Sequence, residues 1–424
     1  MIPFLKARPV LSWCLYDWAN SVLATIIFTF VFSVYFARGV VGDETLGSSY
    51  WGYAVGIAGA LIALAGPILG AISDALGPRK PLLLFLTAIT ILSTAAMFWV
   101  LPDPSYIMIA LVLVGISTIG FELAQAQYNA MLTDIAAPEN MGRISGWAWS
   151  MGYFGGLICL VIALVAFIGM GDNVTGLLAI SDEQSLNVRA TCLLAAIWYL
   201  VFALPLFLYV PDRAKLPRQK GLITKAFRNL WRTLRELFST NGNTGRFLIA
   251  SAIYRDGLNT LFTVGGLYAA GTFGMDFQEI IIFAIGLNVT SGIGAFAFAY
   301  LDDMRGAKWT IIVSLLALII LGIGIIVIES KTTFLILALA LGLFIGPVQS
   351  SSRSLMARLA PKETSAELFG LYAMTGKSIA FMGPLVFAFA TQVTDSQRVG
   401  VGTIILFWLI GLLLLLKVRE KPSY

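Results

Sequence analysis

The sequence predicts an all-α membrane protein whose twelve transmembrane helices form two pseudo-symmetric six-helix bundles. Three observations carry that expectation: the composition, the spacing of the apolar stretches, and motifs that recur between the two halves. Of 424 residues, 58% are hydrophobic and 12% charged, with a mean hydropathy of +0.86. A water-soluble domain carries roughly 25% charged residues, so the surplus of apolar side chains has to face lipid. Soluble enzymes, nucleic-acid-binding modules and disordered scaffolds are excluded on that ground.

A helix needs about 20 residues to cross the ~30 Å hydrocarbon layer. Stretches of that size lie near 10–38, 50–73, 81–101, 105–133, 144–169, 188–210, 246–271, 278–301, 309–328, 332–357, 366–392 and 397–416. The first follows MIPFLKARPVLSW, which has no small-residue cleavage site, and is expected to be a retained span rather than a signal peptide. The second carries Gly52, Gly56, Gly66 and Gly70, and the fifth Gly146, Gly152 and Gly155, small residues that let helices approach closely. The fourth turns polar in its second half, GFELAQAQYNAMLTD, too polar for a lipid face. Pro347 and Pro384 are expected to bend spans ten and eleven. Trp13, Trp18, Trp51 and Trp99 read as interfacial or core aromatics.

An even number of spans puts both termini on one side, and alternate connections starting from the N-terminus hold 21 of the 28 Lys and Arg. The opposite connections hold only Arg38, Arg189, Lys331 and Arg398. The positive-inside rule makes the first set cytoplasmic, so the net charge of +5 reflects membrane orientation and implies no nucleic-acid partner. The expected domains are residues 1–210, a basic linker 211–245, and residues 246–424. Within the linker, Phe227, Leu230, Leu234 and Leu237 share one helical face, with Lys225, Arg228, Arg232 and Arg235 around the other. Such a helix lies on an anionic lipid surface or packs on the bundle.

Three segments recur across the halves. Asp17-x-x-Asn20-Ser21 matches Asp256-x-x-Asn259-Thr260, 239 residues on; Asp74-x-x-Gly77-x-Arg79 matches Asp303-x-x-Gly306-x-Lys308, 229 on; and Gln125, Ile135, Gly146 and Gly152 match Gln349, Leu359, Gly370 and Gly376 at 224. Ala299 stands where the first copy has Gly70. Two parallel six-helix repeats define the major facilitator architecture, built for alternating access. GAISDALGPRK fits its loop signature after the second span. There Gly70 permits close helix approach, Asp74 can accept hydrogen bonds from a facing helix N-terminus, Gly77 supplies the turn, and Arg79 and Lys80 hold the loop at lipid head groups. The alternative for this loop is a simple tight turn with stop-transfer charges.

Six ionisable residues fall within spans: Asp17, Glu122, Arg255, Asp256, Arg353 and Lys377. Their cost in hydrocarbon, at least ~2.5–3.5 kcal/mol each, predicts that they face a shared polar cavity. Asp17 and Asp256 either bind a proton or a substrate amine, or are locked in ion pairs, Asp256 with Arg255 or Lys377. Glu122, with Gln125, Gln127 and Asn129 near it, is the preferred coupling carboxylate. Arg353 and Lys377 are candidates to hold an anionic group of the substrate, with charge balance as the alternative. There is no histidine, and Cys14, Cys159 and Cys192 stand alone, so no metal site, cofactor or Ser–His–Asp chemistry is expected. Nor does a nucleotide-binding loop occur.

Three strings carry a resemblance: LYDWANSVLATIIFTFVFSVYF, AQYNAMLTDIAAPENMGRISGWAWSMGYFGG and SSRSLMARLAPKETSAELFGLY. They are similar to the vacuole-effluxer-like branch of the major facilitator superfamily, over nearly the whole chain. Tyr16, Asp17, Asn20, Tyr128, Asn129, Arg353, Phe369 and Gly370 match family-like positions. The resemblance implies a twelve-helix transporter; fungal members export amino acids from the vacuole, and many bacterial members have no assigned substrate. The sequence lacks the Gly-Pro pair of proton antiporters in its fifth span, and Gly383-Pro384 in the eleventh is a partial counterpart. The resulting expectation is a monomeric secondary transporter in a bacterial inner membrane, both termini cytoplasmic. It would move a small polar solute, an amino acid or short peptide, with a proton or another ion as possible partner. The rival readings are a sugar or drug transporter of the same fold, and a non-transporting membrane sensor or adaptor recruiting a partner through 211–245.

Overall fold

The computed structural model describes residues 8–169, 176–216, 242–275 and 277–420, together with residues 228, 230–233 and 235. The side chains of residues 45, 277, 278 and 281 are outside this description, as are Lys225, Phe227, Leu234 and Leu237 of the predicted amphipathic linker. Among the described linker residues, Leu230 is buried while Arg228, Arg232 and Arg235 are exposed.

Among the described residues twelve long helical segments follow one another: α1 (Arg8–Val41), α2 (Glu44–Leu76), α3 (Lys80–Trp99), α4 (Pro104–Ile135), α5 (Pro138–Ile168), α6 (Glu183–Tyr209), α7 (Asn243–Phe273), α8 (Phe277–Arg305), α9 (Ala307–Val327), α10 (Lys331–Leu359), α11 (Lys362–Thr394) and α12 (Gln397–Leu416). Eleven are long and apolar enough to cross a membrane. The exception is α7, which at 31 residues is long enough but carries Arg246, Arg255 and Asp256. No strand occurs among the described residues.

Three stretches are wound as π-helix, Leu23–Phe30 and Phe36–Val41 in α1 and Ala163–Ile168 in α5. Their wider turns show in the i→i+5 bonds Val31 N–H to Ile26 O (3.3 Å) and Gly169 N–H to Leu164 O (2.7 Å). α10 runs unbroken through Pro347, whereas α11 breaks beside its proline. Pro384 has no N–H to return to the carbonyl of Ala380, and the helix stops at Ile379 and restarts at Met382.

The described chain forms two compact units. The first comprises Met1–Ile62, Pro78–Tyr128 and Met151–Ala214; the second comprises Ala63–Gly77, Asn129–Ser150 and Lys215–Tyr424. In the first unit, Trp13 Nε1–H donates to the Tyr128 carbonyl (3.2 Å), and the Tyr128 hydroxyl donates to the Trp13 carbonyl (3.0 Å). The two rings stack at 4.5 Å. Tyr16 Oη sits 2.6 Å from the Thr87 hydroxyl and 2.9 Å from that of Tyr199, tying α1 to α3 and α6. In the second unit, α8 and α10 cross with almost no side chain between them: a methyl group on Gly294 would strike the backbone of Leu343, and one on Gly346 the Ser291 carbonyl. Lipid tails are as apolar as leucine, so close packing of this kind, rather than the hydrophobic effect, holds such helices together.

Each unit ties one helix pair at both ends by the same device. At the start of α3, the Asp212 carboxylate accepts from the N–H groups of Arg79 (2.8 Å) and Lys80 (3.2 Å), and Lys80 Nζ donates to the Phe207 carbonyl near the end of α6 (3.0 Å). At the start of α9, Glu420 accepts from Ala307 (3.0 Å) and Lys308 (2.8 Å), and Lys308 Nζ donates to the Leu416 carbonyl ending α12 (3.0 Å). The other ends are closed by Arg189 on the Phe98 carbonyl (2.9 Å) and Arg398 on the Ile326 carbonyl (2.7 Å).

Removing a cap of this kind costs about 0.5–2 kcal/mol. Asp212→Ala and Glu420→Ala should each lower the Tm of detergent-solubilised protein, followed by tryptophan fluorescence. The drop should be larger for Glu420→Ala, because Glu420 also pairs with Arg358 at 2.8 Å. An unchanged Tm in both variants would mean these carboxylates hold nothing.

Candidate functional site

Two pseudo-equivalent clasps lie within the second unit. In the first, α2 ends in Ser73-Asp74 and turns at Gly77, whose φ of +97° suits glycine. The Asp74 carboxylate accepts from the backbone N–H groups of Ala366 (3.3 Å) and Glu367 (2.8 Å) in the first turn of α11. In the second, α8 ends in Asp302-Asp303 and turns at Gly306, φ +93°. Asp303 accepts from Gly142 N–H (2.8 Å) and Arg143 N–H (3.3 Å) in the first turn of α5. The open N–H groups and the positive end of the helix macrodipole make these first turns natural carboxylate receptors.

Close backbone approach brings each carboxylate within reach. A methyl group on Gly70 would strike the Ala366 carbonyl, and one on Gly370 the Gly66 carbonyl, so α2 and α11 cross backbone against backbone. At the second crossing, Ala299 replaces the glycine of the first copy, and the missing side chain of Gly146 on α5 makes room for its methyl group. The substitution visible in the repeat is thus absorbed on the partner helix.

The second clasp is the more heavily charged. Arg143 Nε pairs with Asp303 and Arg143 Nη2 with Asn140. The almost fully buried Asp302 accepts from the Ser354 hydroxyl (2.6 Å) and pairs with Arg358 at 2.8 Å. Asp302, Arg358 and Glu420 were not singled out from the sequence. The only signal for them was that a span ending in two consecutive carboxylates needs a cation nearby.

Several predicted residues have partners other than those expected. Arg79, assigned to lipid head groups, is 1% exposed. The cations acting in parallel at the two loops are Lys80 and Lys308, one position off the Arg79–Lys308 alignment, because the structural register of the repeat there is 228 rather than 229. Arg353, a candidate substrate ligand, is 3% exposed. Its Nε donates to the Ser145 hydroxyl (2.9 Å), Nη2 to the Ser145 carbonyl (2.7 Å) and Nη1 to Asn129 Oδ1 (3.3 Å), so the guanidinium clamps the ends of α4 and α5. Asp256 forms no ion pair with Arg255 or Lys377; its Oδ2 accepts from Gly383 N–H at 2.8 Å, where α11 restarts. Arg255 instead lies over the Tyr372 ring, 4.1 Å from its centroid.

The repeated Asp-x-x-Asn-Ser/Thr element has a packing role in both copies. The Ser21 hydroxyl donates to the Asp17 carbonyl (2.6 Å) and Thr260 to that of Asp256 (2.8 Å). Each hydroxyl then occupies the space over a glycine, Gly152 in α5 and Gly383 in α11. Asn20 Nδ2 donates to Gln125 Oε1 at 3.3 Å, joining α1 to α4. Asp17 is buried, Glu122 and Lys377 are half-buried, and Asn259 is exposed.

Twelve long helices, repeated motifs and paired clasps define the class: a multi-pass membrane protein of the major facilitator type, a transporter class. The human organic anion transporter MFSD10 has the same fold, with a TM-score of 0.72 at 15% identity over 96% of this chain and 99% of that one. The chain belongs to the family described as vacuole effluxer Atg22 like, which matches residues 6–423. It is 28% identical over 417 residues to an uncharacterized MFS-type transporter, YxiO, of Bacillus subtilis (strain 168), covering 97% of this chain and 95% of that protein. Autophagy-related protein 22 of Yarrowia lipolytica is 23% identical over 318 residues, 68% of this chain and 52% of that protein. The match thus spans about half the length of the fungal relative.

If Arg353 is a clamp, Arg353→Ala removes its hydrogen bonds to Ser145 and Asn129, leaving Ser145 only its bond to the Ser350 carbonyl, and should cost about 1–3 kcal/mol, seen as a lower Tm. Arg353→Lys should recover little of it, because an ammonium cannot reproduce the planar fork. A Tm unchanged in Arg353→Ala would return this residue to the list of solute ligands.

Proposed function

We propose that this protein is a secondary transporter that moves a small polar solute, an amino acid or short peptide, by alternating access. Both termini lie in the cytoplasm, in keeping with the excess of Lys and Arg on their side, and the membrane is a bacterial inner membrane. With no nucleotide-binding loop, the energy comes from a proton or other ion gradient or from the solute's own gradient. The family and its fungal members support an amino-acid cargo, and Glu122 remains a coupling candidate in the polar half of α4.

The observation that carries alternating access is the pair of clasps. Asp74 fastens the end of α2 to the start of α11, and Asp303 fastens the end of α8 to the start of α5. Each joins an element from one half of the sequence to an element from the other. A gate has to hold and also release. Two N–H groups on an ionised carboxylate meet both needs, since each such bond contributes only about 1.5–3 kcal/mol net and water replaces it on opening. The two clasps would hold the cytoplasmic side shut and part together when it opens.

Purified protein in proteoliposomes tests both parts of this reading. Counterflow across a panel of amino acids and dipeptides should identify a cargo, and no flux with any of them rejects the cargo. Asp74→Ala and Asp303→Ala should each change the flux of that cargo roughly tenfold, the equivalent of losing one charged hydrogen bond. Flux equal to wild type in both variants rejects the gate.

A further inference from the structure

The break in α11 and the carboxylate of α7 form a site used neither by the clasps nor by the Arg353 clamp. Asp256 is 1% exposed. Its Oδ2 accepts from Gly383 N–H, within the first turn of the 13-residue helix Met382–Thr394. Its Oδ1 is buried and receives no hydrogen bond from any described residue. A methyl group on Gly383 would strike the Thr260 hydroxyl and come within 3.2 Å of Asp256 Oδ2, so the restarting helix is pressed directly onto the carboxylate.

The charged groups around this site are engaged elsewhere. On α7, Arg255 lies over the ring of Tyr372 of α11, and the Tyr254 hydroxyl is 2.6 Å from the hydroxyl of Ser352 on α10. Arg353 of α10 holds Ser145 and Asn129. Lys377 stands on α11 ahead of the break, and α12 presents Trp408 to neighbouring Gly257. None of them forms an ion pair with Asp256. One carboxylate oxygen therefore serves a helix start while the other is left over, inside a membrane. A metal cation would need several oxygens; a proton needs one.

We propose that Asp256 is a proton-binding site whose occupancy loosens the second half of α11. Oδ1 takes a proton from the aqueous phase, and the carboxylate becomes a neutral acid. The Gly383 N–H bond to Oδ2 then changes from a charge-assisted to a neutral hydrogen bond, about half as strong. The start of Met382–Thr394 loses the anion that complemented its dipole. Protonation at α7 is thereby transmitted to the same helix whose other end Asp74 holds. The inference deepens the transport reading by naming where a coupling proton would sit, but its test observes the protein alone and needs no cargo. It can fail while amino-acid flux stands, and it can hold where that flux fails.

The experiment is infrared difference spectroscopy of the reconstituted full-length protein through an acid-to-alkaline titration, paired with amide hydrogen exchange over Met382–Thr394. Wild type should develop a protonated-carboxyl band on acidification. Exchange in that segment, corrected for its intrinsic pH dependence, should become roughly tenfold faster, as expected for weakening a charged hydrogen bond. Asp256→Asn should lose the band and exchange at the fast rate at every pH. If Asp256→Asn fails to fold, Asp256→Glu must shift the band in frequency and midpoint. A band unaltered by the substitution, or exchange over 382–394 indifferent to pH in wild type, overturns the proposal.

Discussion

Peptide N–H groups left open at helix starts, and the carboxylates that answer them, organise this molecule. An α-helix begins with four N–H groups that have no partner within it, and each that is buried needs an acceptor from elsewhere. Five carboxylates fill that role here: Asp74 at α11, Asp303 at α5, Asp212 at α3, Glu420 at α9, and Asp256 where α11 restarts. In every case the carboxylate comes from a different helix or connection than the one it caps. Each cap is thus also a tertiary tie, and the placement of one helix depends on the end of another.

The two repeats use these ties alike and elaborate them differently. Both Asp74 and Asp303 stand on a helix start, and Asp303 is in addition embedded with Arg143, Asp302, Arg358 and Glu420. Glu420 belongs to both arrangements of its half, capping α9 and pairing with Arg358. The C-terminal connection is therefore mechanically continuous with the second clasp. Asp212 makes the corresponding cap in the first half, at the start of α3.

The fold was legible because lipid imposes a coarse code: about twenty apolar residues per span, with cations on one side. The loops were legible because glycines at φ above +90° and a carboxylate three residues before them leave a fixed spacing. Other features were hidden for physical reasons. Asp256 had its charged neighbours as natural suitors, but its partner is the backbone N–H of Gly383, and backbone groups carry no letter in a sequence. Arg79 and Lys80 are adjacent and alike in charge, and only packing shows that the first is buried while the second closes a neighbouring helix. Asp212 and Glu420 differ in residue type and lie 208 apart, outside the three matched segments, so their equivalence emerges only when both are seen on helix starts. Arg353 looked like a ligand for cargo because it lies in a span, yet its nitrogens meet a serine and an asparagine brought from the α4–α5 corner.

The spacing between equivalent residues holds a record of how the halves diverged. From Asp17–Asp256 to Asp74–Asp303 the offset falls from 239 to 229, and from Gly152–Gly376 to Arg189–Arg398 it falls from 224 to 209. Across the α4–α5 corner, from Gln125 to Gly152, it does not change at all. The first half is thus longer by 10 residues between Asp17 and Asp74 and by 15 between Gly152 and Arg189, while the α4–α5 corner has the length of its counterpart. The π-helical stretches of α1 and α5 fall inside the two lengthened intervals, and a π-turn is what a helix becomes when it absorbs one residue without breaking. The widened turns thus lie where the first half carries residues that the second half lacks.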